Sequence, residues 1–185
     1  MTTVFIAGSI SISRLHEKVQ KRIENVIASE LEVVVGDADG ADTSIQDCLS
    51  KRGAKHVTVY CSGDQPRNNL ADWPVKNVYS DAVRGSRAYF TAKDLEMARA
   101  SDYGLMVWDC KSTGTLSNVI ELLKKDKKSI IFLNKNEEFI TVSDISSLQN
   151  LLTFMSDHAR MKAEQKIGLS SCIASFGREQ YTLPV

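Results

Sequence analysis

At 185 residues, 43% hydrophobic and 25% charged, the chain has the composition of one globular domain and is too apolar for intrinsic disorder. Its 23 basic residues balance 23 acidic ones, which argues against general nucleic-acid binding, and no apolar run approaches the roughly 20 residues of a membrane-spanning helix. Cys48, Cys61, Cys110 and Cys172 lack CxxC spacing, so no zinc site is expected.

The N-terminus, Met-Thr-Thr-Val-Phe-Ile-Ala-Gly, has no basic stretch ahead of an apolar one. A secretory leader is therefore not expected, and the expected location is cytoplasmic, with reduced thiols. The first strand is Val4–Ala7, followed by Gly8-Ser9. Leu15, Val19, Ile23, Val26 and Ile27 then recur with helical spacing. A second strand, Leu31–Val35, ends at Gly36; the helix marked by Ile45, Cys48 and Leu49 stops before Gly53, which sits where a C-terminal cap belongs. His56–Tyr60 reads as a third strand. Cys61 to Arg84 lacks periodicity and contains prolines, which predicts a long functional or mobile loop.

Regular structure resumes with a helix near Arg87–Ala100, a strand at Tyr103–Trp108, a helix after Gly114 and a strand at Ser129–Leu133. A last amphipathic helix is predicted from about Asp144 to Lys166, with Leu148, Leu151, Leu152 and Met155 on one stripe. Ile167–Val185 has no clear assignment and is left to dock on the body or on a partner. Alternating strands and helices imply a parallel sheet covered on both faces, and Val33–Val35 and Ile130–Phe132 are apolar on consecutive residues, as two-sided burial requires. The expected fold is α/β: a doubly wound parallel sheet of about five strands, helices on both faces, and an extra C-terminal helix.

In such sheets ligands lie outside the carboxyl ends of the strands. Three small, polar, glycine-bearing turns fall on that rim: Gly8-Ser9-Ile10-Ser11, Gly36 to Asp42, and Asp109 to Thr115. Ser112-Thr113-Gly114-Thr115 suits an anion, because Gly114 admits close approach and the following helix offers a positive end; the alternative is an ordinary N-cap. Gly8-Ser9 fits ligand contact less specifically, since a glycine after the first strand is common in this architecture.

Asp37, Asp39 and Asp42 would repel a phosphate. Beside a phosphate cradle they would accept from ribose hydroxyls, hold magnesium, or support positive charge at a sugar carbon. Magnesium is the disfavoured variant, because no second acidic cluster matches. The structural alternative makes Asp39-Gly40 a turn and Asp42 an N-cap. Arg84 and Arg87 are phosphate partners or surface charges, and Trp73 is a lid aromatic or the anchor of its loop. Asp94 and Glu96 read as solvated, as does the Lys124–Lys128 run, and His16, His56 and His158 assemble no triad.

Val33-Val34-Val35-Gly36-Asp37-Ala38-Asp39-Gly40-Ala41-Asp42 resembles the strand-turn-helix segment of the SLOG superfamily, and within it the YspA/YpsA-like branch, related to the Lonely Guy phosphoribohydrolases and the DprA proteins. Ala71-Asp72-Trp73, Arg87 ahead of Asp94-Leu95-Glu96-Met97, and Ser112-Thr113-Gly114-Thr115 resemble further motifs of that branch in the same order. The likeness spans roughly residues 3–134. Phe5 to Ile10, Arg87 to Glu96 and Gly114-Thr115 are also similar to nucleoside 2-deoxyribosyltransferases and related N-glycosidases.

The resemblance implies a Rossmann-like nucleotide-binding domain over residues 1–136. Residues 137–185 would be a C-terminal helix and tail, part of the same domain or an oligomer interface. It further implies a nucleotide or nucleotide-derived ligand with phosphate at the Gly114 turn, and a homo-oligomer. Gly8, Ser9, Gly36, Asp37, Gly40, Trp73, Arg87 and Ser112 to Thr115 are the expected ligand-binding residues, with Asn118 beside them. Some relatives hydrolyse the N-glycosidic bond of nucleoside monophosphates, whereas others only bind. Here Asn118 stands where those enzymes carry an acid, and an amide is neither a nucleophile nor a full negative charge. Asp39, Asp42 and Asp109 are the substitutes open to an enzyme, and Glu121 lies one helical turn beyond Asn118. The expected function is nucleotide binding without cofactor or metal. N-glycosidase activity is the first alternative and a non-catalytic oligomeric interaction protein the second.

Overall fold

The computed structural model describes residues 1–179. Strand β1 (Thr3–Gly8) directs Val4 and Ile6 to one face of the sheet and Phe5 and Ala7 to the other, and all four are buried. Such a strand is stable only between two covering layers. On the Val4/Ile6 side those layers are α1 (Glu17–Ala28), through Val19, Ile23 and Val26, and α2 (Ala41–Lys51), through Ile45, Cys48 and Leu49. On the Phe5/Ala7 side they are α3 (Arg87–Ala100), through Met97 and Ala98, and α4 (Thr113–Leu123), through Leu116, Val119 and Ile120.

The remaining strands are β2 (Glu32–Gly36), β3 (Val57–Ser62), β4 (Val75–Val78), β5 (Tyr103–Trp108), β6 (Ser129–Leu133) and β7 (Glu138–Val142). Their order is β4-β3-β2-β1-β5-β6-β7, parallel throughout except for β7, which runs antiparallel to β6. From β1 the chain steps outward to β4, then returns across the sheet to β5 beside β1. The reversal moves the crossover helices to the opposite face and leaves a crevice at the carboxyl ends of β1 and β5.

Among the described residues the sheet has seven strands rather than about five. β4 lies inside the stretch expected to be a long loop: it is an edge strand of four residues with Val75 and Lys76 exposed, so it carries no apolar run. Pro74 directly precedes it and its carbonyl accepts from Val59 N at 2.9 Å, so the missing N–H costs no ladder bond. β7 follows a charged turn in which Glu137 takes φ 56°, and its mixed sequence Glu-Phe-Ile-Thr-Val gives little signal.

The single helix expected over 144–166 is two. α5 (Ile145–Leu152) opens on a reciprocal Asp144/Ser147 capping box, and α6 (Asp157–Ile167) opens on Ser156, whose side chain accepts from Ala159 N. α7 (Leu169–Glu179) takes most of the unassigned tail; residues 180–185 lie outside the described residues. Leu148, Leu151, Leu152, Met155, Ala159, Ala163 and Leu169 all join the core that holds Phe5 and Trp108, so the stripe packs on this chain.

Candidate functional site

At the crevice the first and third rim turns bond to each other. Ser9 N donates to Val107 O at 2.9 Å, and Ser9 Oγ accepts from Asp109 N at 3.1 Å and lies 3.2 Å from Thr115 Oγ1. Thr115 Oγ1 is in turn 3.2 Å from Ser112 Oγ. Asp109 accepts from Ser11 Oγ at 2.7 Å, Lys111 N at 2.9 Å and Ser112 N at 2.7 Å. Burial works against its charge, but these donors prevail and hold its carboxyl below the usual range. Gly8 serves packing: a Cβ there would lie 2.7 Å from both Ala41 Cβ and Val107 O. Gly8, Ser9 and Asp109 thus tie β1 to β5, and Asp109, already accepting three bonds, is a poor catalytic base.

The second turn behaves similarly. Gly40, with φ 76°, opens α2 without a side-chain cap, and a Cβ there would strike the backbone of Ile10. Asp37 is 2% exposed and forms a paired clamp with Arg67, Nη2 to Oδ1 at 2.7 Å and Nε to Oδ2 at 3.1 Å, with Arg67 N donating a third bond at 3.0 Å. Burial alone would raise the Asp37 pKa; the Arg67 bonds and the nearby Lys93 charge instead hold it low. Asn68 donates to Asp37 O at 2.8 Å and to Asp39 Oδ1 at 3.0 Å. Asp37 therefore fastens the helix-free β3–β4 crossover, and Asp39 is an exposed part of that fastening.

Behind this turn lies Lys93, 3% exposed, with its ammonium 3.0 Å from Asp94 Oδ1 and 3.8 Å from Asp37 Oδ1. Burial would lower its pKa, but Asp94, Asp42 and Asp37 together keep it above the ordinary lysine value. Among the described residues, Asp42, 6% exposed, has only Ala38 N as a hydrogen-bond donor, at 3.3 Å. Burial pushes its carboxyl up to about 6, against the pull of Lys93. Gly36 has to be small here: a Cβ would stand 2.8 Å from Lys93 Nζ and collide with Asp42 Oδ2.

The open part of the rim is a cleft of about 280 Å³ between α3 and α4. Arg87, Phe90, Thr91 and Asp94 form one wall at helical spacings of three, one and three residues; Thr113, Gly114, Ser117 and Asn118 form the other. Arg87 Nη1 donates to Thr113 Oγ1 at 3.2 Å, closing the mouth. The N–H groups of Thr113 and Gly114 open α4 and have no intrahelical acceptor. Gly114 is exposed, and a Cβ on it would meet nothing closer than Ser112 Oγ at 3.9 Å. Asn118 is 7% exposed, and its carboxamide bonds to none of the described residues. A larger hollow of about 600 Å³ lies between the segment before α1 and the outer side of α2, but Gly40 is its only lining residue from the three turns.

The structure therefore divides the expected site residues. Arg87, Thr113, Gly114 and Asn118 line the cleft; Ser112 caps α4 and Thr115 bonds with Ser112 and Ser9; Gly8, Ser9, Gly36, Asp37, Gly40 and Asp109 brace the turns. Trp73 is not a lid. It is 8% exposed in the α1/α2 core, on the face of the sheet opposite α3 and α4, and its Nε1 donates to Ala54 O at 3.3 Å. Asp94, read as solvated, lines the cleft with Phe90 and Thr91, which the sequence did not single out; Lys93 and Arg67 lie outside its lining and touch Asp94 and Phe90. The signal for Phe90, Thr91 and Asp94 was the helix phase counted from Arg87, three, four and seven residues on. Among the described residues, no group of three or more His, Cys, Asp or Glu side chains could hold a metal ion. Among them, too, no helix is long and apolar enough to cross a membrane. The chain matches no protein-family model and no curated protein.

Proposed function

We propose that the chain binds a nucleotide or nucleotide-derived small molecule in the α3–α4 cleft, with its phosphate on the first turn of α4. One observation carries this reading: the cleft brings together the free N–H groups opening α4, the exposed Gly114 and the Arg87 guanidinium, which complement a phosphate in charge and in hydrogen bonding. Asn118 and Asp94 supply an amide and a carboxylate deeper along the same walls, suited to hydroxyls of a sugar.

Thermal unfolding with a panel of nucleoside monophosphates tests it. A ligand at about 100 times its Kd adds about 2.7 kcal/mol of stability, a shift lost in Gly114→Val. A panel without any shift would sink the reading.

A second reading, cleavage of the N-glycosidic bond of a nucleoside monophosphate, is favoured by Asp94, the one carboxylate among the described residues that line the cleft. Lys93 at 3.0 Å holds Asp94 near the sugar, where it would support the positive charge that develops as the base departs. Asp39, Asp42 and Asp109 lie outside the lining of the cleft. Release of free base that disappears in Asp94→Asn would establish this reading; bound but intact nucleotide would dismiss it.

A further inference from the structure

Phe90 is an aromatic side chain with no place in either core. It is half-buried, packs with neither hydrophobic cluster, and lines the cleft one helical turn from Arg87. What touches it is polar or edge-on: the Arg67 guanidinium lies over its ring with Cζ 4.6 Å from the centroid, and Tyr89 meets it at 5.3 Å and 77°. Both Arg67 contacts to the Asp37 carboxylate hold that guanidinium in place. An aromatic fixed from behind by an anchored cation, on a helix wall facing an open cleft, is a stacking platform rather than a core residue.

We propose that Phe90 is the platform on which the base of a nucleoside 5′-monophosphate stacks. This rests on the phosphate site proposed above. Residues one turn apart on a helix are about 5–6 Å apart at Cβ. Arg87 and Phe90 therefore suit a phosphate and a flat ring separated by a single pentose, and the 280 Å³ of the cleft suits one nucleotide unit rather than a dinucleotide. The assignment gives Phe90 the role that sequence reasoning offered to Trp73, which is buried elsewhere.

The test compares adenosine 5′-monophosphate with ribose 5-phosphate, which keeps the phosphate and sugar but has no base. Calorimetric titrations use wild type, Phe90→Ala and Phe90→Leu, with free adenine assayed in the same samples. Loss of one stacked base weakens binding by about tenfold or more. Adenosine monophosphate affinity is therefore expected to fall by that factor in both variants, with ribose 5-phosphate affinity unchanged. Phe90→Leu keeps apolar bulk under Arg67, so its melting temperature should stay at the wild-type value. Unchanged adenosine monophosphate binding, or equal losses for both ligands, overturns the platform while leaving the phosphate site standing. If wild type binds neither ligand, the phosphate site fails and the platform falls with it.

Discussion

Asp42 places a carboxylate where water does not reach, with one long backbone hydrogen bond and a lysine nearby. Because its folded pKa is raised to about 6, the native state holds the proton more tightly than the unfolded chain does. For this group stability is therefore greatest below about pH 4 and declines as pH rises through about 6. At about 1.4 kcal/mol per tenfold change in proton affinity, the charge costs about 3 kcal/mol at neutral pH. Asp42→Asn should remove that decline. In urea titrations, its unfolding free energy relative to wild type should climb by about this amount between pH 4 and pH 7 and then level off. A pH-independent difference would show that the Asp42 carboxyl binds its proton equally well in the folded and unfolded chain.

Gly40 carries a second expectation at this scale. Its positive φ and the backbone of Ile10 leave no room for Cβ, so Gly40→Ala should cost about 3 kcal/mol or more by the same assay. The residue type at Gly40 and Gly36 was readable from the sequence; what each glycine avoids was not. Asp37 shows why. Its distance from Arg67 along the chain is 30 residues, and nothing local distinguishes a carboxylate that awaits a sugar from one clamped to a guanidinium.

Among the elements, α4 concentrates the conflict between folding and binding. Gly114 lies in its first turn with an open surrounding and no positive φ, so helix propensity favours alanine there. Gly114→Ala should raise stability by about 0.5 kcal/mol while weakening any anion bound at the turn. A scan of melting temperature alongside ligand titration separates the two effects. An unchanged affinity would mean that the ligand stands off the backbone.

The central strands were legible because their apolar runs are nearly continuous: Tyr103–Trp108 and Ser129–Leu133 coincide with β5 and β6, and the helix placed at Arg87–Ala100 coincides with α3. β4 and β7 were not, since each is short, sits at an edge, and is stabilised by pairing that its own sequence does not encode. The break between α5 and α6 was hidden for another reason. Thr153 to Ser156 hold no glycine or proline, and only the Ser156 cap marks the new start.

At the scale of the whole molecule, residues 138–179 are woven into the domain: β7 extends the sheet, and α5, α6 and α7 cover the α4 face. Leu148→Ala should therefore cost about 2–5 kcal/mol and shift one cooperative transition, rather than release a separate C-terminal unit. Two resolved steps in denaturant, the first alone sensitive to the substitution, would contradict this.

Arg67 has a mechanical consequence. The same guanidinium grips Asp37, which secures the crossover into β4, and supports the ring of Phe90 from behind. A guest pressing on that ring leans on the crossover as well. Amide protons at the margin of the sheet, along Val75–Val78, should then exchange more slowly once the α3–α4 cleft is filled, a tightening transmitted through one side chain.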